Sequence, residues 1–224
     1  TVGSGTPLSG LVVGSAATLN FDGTVAVDDQ GLDVTAGIVT IDAAVTSTTG
    51  GTVEITNSGA LTVAPGANMS LDGAFTQNGG GTVTTGGGIT TTDDNISFAA
   101  AVTLTADTVL NTGAGAGNIS FSGNVLGDFL LTAAAGGGTV NFLSTVGSGT
   151  PLSGLVVGSA ATLNFDNTVA VDDQGIDITA GIVTIDAAVS STTGGTVEIT
   201  NSGLLTVAPG ANMSLDGAFT QNGG

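Results

Sequence analysis

The sequence contains no lysine, arginine, histidine, cysteine, tryptophan or tyrosine. Each absence removes a class of function. Nucleic-acid backbones are held by Lys and Arg, so a chain of formal net charge −18 with neither cation is predicted to bind no nucleic acid. The same lack removes attraction to anionic lipid head groups. No apolar run approaches the roughly 18 residues of a spanning helix, so direct membrane insertion is not expected. Without cysteine there is no disulfide, no thiolate nucleophile and no Cys-ligated zinc. Side-chain salt bridges are impossible, so each of the 18 Asp and Glu residues must be solvated, hydrogen-bonded or metal-bound.

What is present is aliphatic and small. Hydrophobic residues make up 41% of the 224, with 39 glycines and eight phenylalanines as the only aromatics. That content supports a sizeable core and argues against general disorder. Residues 1–80 align without gaps to residues 145–224, an offset of 144. Only five pairs differ: Gly23/Asn167, Leu32/Ile176, Val34/Ile178, Thr46/Ser190 and Ala60/Leu204. The chain therefore reads as one continuous unit over 1–224, with a first repeat at 1–144 and a partial second at 145–224. It begins Thr1-Val2-Gly3, inside a repeat, and is read as an excerpt or processed segment of a longer protein.

A shorter repeat lies within the long one. Its signature, apolar–small–small–any–apolar, starts at Phe21, Ile41, Leu71, Phe98, Phe121, Phe142 and again at Phe165. Short period-two segments separated by Gly, Ala, Asn and Asp suit the coil of a solenoid better than an antiparallel hairpin. The expected fold is all-β, a right-handed parallel β-helix (β-solenoid) with about six coils of about 24 residues per 144-residue repeat. Phe21, Phe98, Phe121, Phe142 and Phe165 are expected in one slot, four of them forming a stacked ladder at the coil spacing of about 4.8 Å. The intervals from Ile41 to Leu71 and from Leu71 to Phe98 are longer than the others. They predict two excursions, Thr49–Thr56 and Asn78–Gly88, as the places to look for binding. An immunoglobulin-like sandwich needs about seven strands per 100 residues and fits less well.

The segments Asn118-Ile-Ser-Phe-Ser-Gly-Asn-Val125 and Thr112-Gly-Ala-Gly-Ala-Gly-Asn118 resemble the repeats of filamentous-haemagglutinin-type adhesins and related autotransporter passengers. The resemblance is one of pattern and extends over essentially the whole chain. It implies a secreted bacterial exoprotein at the cell surface, whose shaft is a right-handed parallel β-helix.

Two acidic groups invite a chemical reading. Asp22, Asp42 and Asp72, with Asp166, Asp186 and Asp216, share one motif position; stacked carboxylates would repel by roughly 0.9 kcal/mol per pair in water, a cost that a divalent cation removes. The alternative is a set of solvated turn residues bonded to local N–H groups. Asp28, Asp29 and Asp33 around Gln30, repeated as Asp172, Asp173 and Asp177, offer oxygen ligands suited to calcium, although the spacing matches no standard calcium loop. No other cofactor is expected. Paired carboxylates could serve glycoside chemistry, but nothing beyond Phe is available to hold a sugar, so catalysis is not expected. Thr90–Thr92 and Thr103–Thr105 hint at ice-binding ranks, against which the unequal coil lengths argue. The favoured reading is a structural segment of a giant extracellular fibrous or adhesin-like protein, continuing in a longer chain or self-associating end to end. The alternative is a glycan- or calcium-binding surface on the helix.

Overall fold

The computed structural model describes residues 1–223. Within them 25 strands form one sheet, every pairing is parallel, and there is no helix. The chain winds as a β-solenoid of three walls. On the first wall Leu11, Leu32, Val53, Phe75, Ile96, Ile119, Val140, Leu163, Val183 and Leu205 stack in register. On the second, Leu19, Val39, Leu61, Val83, Val102, Val125, Val146, Val169, Val189 and Met213 do so. The third runs from Val2 through Val25, Val45, Met69, Ile89, Leu110, Ala133, Val157, Ile178 and Ile199 to Gln221.

Alternation explains the walls. Val45–Ser47, Leu61–Val63 and Ile119–Phe121 each bury their first and third side chains and turn the middle one outward. The inward residues of all three walls merge into one aliphatic core, with Phe75, Phe121, Phe142 and Phe165 among its largest fully buried members. Corners use small residues because backbones of successive coils pass close together. Gly31 sits at φ +69°, and a Cβ there would collide with the Thr52 carbonyl oxygen of the next coil; only glycine meets both demands.

The register corrects the expected coil. Neighbours on the first wall are almost evenly spaced along the chain, from Leu11 and Leu32 to Val183 and Leu205. No coil is lengthened where the two long intervals fall, and the two excursions are ordinary wall. Val53–Asn57 is a first-wall strand, and Val83–Thr85 is a second-wall strand with both flanking side chains buried. The corner motif is real, but it does not mark one corner. It joins the second wall to the third at Phe21 and Ile41, the third to the first at Leu71, and the first to the second from Phe98 onward. Each of the two long intervals therefore spans one and one-third coils.

One consequence is that the 144-residue repeat holds twenty wall-to-wall steps rather than eighteen. That is six and two-thirds coils of about 21.6 residues, in place of six of about 24. Leu19 lies on the second wall and its copy Leu163 on the first; Leu11 lies on the first and Leu155 on the third. The second copy is displaced by one wall.

The aromatic ladder forms with one change of membership. Phe98, Phe121, Phe142 and Phe165 stack with centroids 5.2–5.3 Å apart. Phe75 extends the ladder, tilted by 50° at 5.3 Å from Phe98. Phe21 does not belong to it. Its strand partner is Ile41 on the second wall, because its corner motif precedes both slips.

Candidate functional surface

The acidic corner at Asp28 is built by the coil above it. After Val45–Ser47 the chain reverses at Thr48–Gly51, closed by the Gly51 N–H donating to the Thr48 carbonyl at 3.0 Å. Thr49 and Gly50 both hold positive φ, +55° and +79°. The Thr48 hydroxyl donates to Asp28 Oδ1 at 2.7 Å. Hydroxyls of Thr49 and then Thr48 hold the Asp28 carboxyl below its ordinary value, slightly opposed by desolvation. From the following coil, Asp72 Oδ2 accepts the Gly50 N–H at 2.8 Å, and the Asp72 N–H donates to the Ser47 hydroxyl at 3.1 Å. Asp172, Thr192, Gly194 and Asp216 repeat these bonds in the second copy, with Asp172 likewise lowered by the hydroxyls of Thr193 and Thr192. The carboxylates close a protein hydrogen-bond network.

The six residues considered for calcium are spread over a corner and a wall. Asp28 and Asp29 lie at the corner, whereas Asp33 points outward from the first wall beside Glu54 of the next coil and Val12 of the previous one. Asp172, Asp173 and Asp177 divide in the same way, with Asp177 beside Glu198. Among the described residues, no three Asp or Glu side chains gather into a group able to hold a metal ion.

The two expected ladders of three carboxylates each reduce to a pair. Asp22 and Asp42 do stack, since Phe21 pairs with Ile41 and the Asp42 N–H donates to the Phe21 carbonyl at 3.0 Å. Asp166 and Asp186 stack likewise. The next coil carries Ala64 at this position, while Asp72 and Asp216 stand at another corner for the reason that misplaced Phe21.

Two features were not anticipated. The first is a buried amide network at the exit of the first wall. Gln77 Nε2 donates to Asn57 Oδ1 at 2.7 Å, Asn57 Nδ2 donates to the Gly59 carbonyl at 2.6 Å, and Gln77 Oε1 accepts from the N–H groups of Ala99 and Ala100 at 3.1 and 3.0 Å. Both amides are fully buried and satisfied, as burial demands. Their positions, two residues after Ile55 and Phe75, are inward by strand alternation, which was the available signal. The second is a shallow groove at the same corner, lined by Ser15, Ala16, Thr35, Gly37, Asn57 and Gly80, and repeated around Ser159, Thr179 and Asn201 one wall away. Outward threonines also align: Thr40, Thr62, Thr84 and Thr103 form one rank on the second wall.

No family model, no curated protein and no solved structure matches the chain.

Proposed function

We propose that the chain is a length of rigid shaft in an extracellular, cell-surface protein of the fibrous or adhesin-like kind, with its coils wound right-handed. One observation carries the reading: a single uninterrupted core runs through about ten coils, each coil pairing with the next, with no break that would make a hinge or a separate domain. The pattern resemblance to filamentous-haemagglutinin-type repeats supports the extracellular setting. The surface supports a structural role too. Its carboxylates are distributed over corners and walls, and the two segments expected to protrude are built into the walls. In this reading the chain has no catalytic role and no resident cofactor, and its partner is further solenoid.

The test is electron microscopy of the full-length protein. A shaft predicts straight rods in which 224 residues occupy about 48 Å of length, ten coils at about 4.8 Å. Flexible beads, or a length per residue several times greater, would overturn the reading.

A further inference from the structure

The two copies within this chain place the same residues in two surroundings. Leu8 is 40% exposed and its copy Leu152 is 0% exposed. At the other end Phe219 is 45% exposed, against 0% for Phe75, and Val207 is 43% exposed, against 3% for Val63. The strand register shows what covers the strands that hold these buried copies. Leu130–Ala133 lie under Gly154–Val157, and Thr139–Phe142 under Thr162–Phe165. Above, Phe75 is covered by Ile96 and Val63 by Thr85. Every covering residue comes from the later part of the 144-residue repeat.

We infer that the surface fitting each open end of this solenoid is another unit of the same repeat, set one wall back so that successive units are related by about one-third of a turn. The inference deepens the shaft reading and rests on it. The open underside of Leu8–Phe21 takes residues equivalent to 130–142, and the open top of Leu205–Gly223 takes residues equivalent to 83–98. Both contacts bury exposed aliphatic side chains and pair free strand edges, which are the two unsatisfied features of a solenoid end. Head-to-tail contacts of this kind do not close and propagate a filament.

The rotation follows from the twenty steps per unit. Three walls divide eighteen evenly and leave two over, so each unit starts one wall behind the last. The Asp28 corner joins the third wall to the first, and its copy at Asp172 joins the second to the third. The groove moves likewise, from the corner between first and second walls to that between third and first. Each unit advances about 32 Å along the axis, and three units, about 96 Å, return a feature to its starting side. A shaft of these units presents the same corners and grooves in all directions.

Cryo-electron microscopy of the native fibre, with the full-length chain, tests the inference. Six and two-thirds coils at about 4.8 Å predict units related by a rise of about 32 Å and a rotation of about 120°. Units in line, or a rise of about 29 Å as six coils would give, overturn the inference and leave the shaft reading intact; the absence of a rod removes both. A second measurement needs only the 224-residue chain, which has no cysteine of its own. Oxidation should join Thr40→Cys to Thr62→Cys, neighbours on the second wall, and leave Asp33→Cys with Thr62→Cys unjoined. The reverse pattern would restore six even coils and eliminate the rotation.

Discussion

Thr49 and Thr193 occupy a backbone region that β-branched residues rarely adopt, both at φ +55°. With Gly50 or Gly194 following at positive φ, each corner has the two left-handed central residues of a type I′ turn, where Asn-Gly is the preferred pair. The threonine is retained in a costly position while its hydroxyl serves the carboxylate below. Thr49→Asn should relieve about 1 kcal/mol of strain and still offer an amide donor to Asp28; calorimetry should show a higher melting temperature, and a lower one would refute the strain argument. Thr48→Val removes a donor without that relief. Asp28 titrates below its ordinary value when folded, so its contribution is present above the unfolded pKa and lost as pH falls through the folded one. The Thr48→Val deficit should therefore be visible at neutral pH and fade in acid.

At the scale of strands and coils, most of the architecture is legible in the sequence, and one variable is not. Alternation in Val45–Ser47 or Ile119–Phe121 identifies a wall strand and its inward residues, and the small residues after Phe98, Phe121 and Phe142 identify a corner. The motif does not say which corner, because all three are built from the same short, small residues. That ambiguity hides the slips at Leu71 and Phe98, makes Thr49–Thr56 and Asn78–Gly88 read as excursions although they hold the wall strands Val53–Asn57 and Val83–Thr85, and gathers Asp72 with Asp22 and Asp42. The register is settled by stacking of inward side chains across coils, a contact between residues a whole coil apart that local pattern cannot display. Phe121 and Phe75 provide a test of the ladder, since both are fully buried with a coil on either side. Phe121 stacks between Phe98 and Phe142 at 5.3 and 5.2 Å, whereas Phe75 meets one ring, that of Phe98, tilted by 50°. Phe121→Ala should cost about 3–5 kcal/mol, and Phe75→Ala about 1 kcal/mol less, given the stacking worth of an aromatic pair. Equal losses in denaturant titrations would mean that the ladder contributes nothing beyond burial.

Along its whole length the solenoid carries charge of one sign. Eighteen carboxylates over about 48 Å of solenoid place one negative charge every 2.7 Å or so, against about 1.7 Å in duplex DNA. No cation in any side chain offsets them, and the one-wall displacement between copies carries the acidic corners around the shaft. Parallel shafts must then repel whichever sides they turn to one another. This keeps apart rods whose walls bear aligned strands and outward aliphatic residues such as Val109 and Ile182, 50% and 44% exposed. The repulsion reaches about 30 Å at 0.01 M salt and only about 3 Å at 1 M. On the shaft reading, fibres of the protein should therefore stay single at low ionic strength and gather side by side in molar sodium chloride, with scattering rising while the circular dichroism of the coils is unchanged. Protonating the carboxylates should produce the same bundling at low salt. Fibres that remain single under both treatments would show that something other than charge keeps the shafts apart.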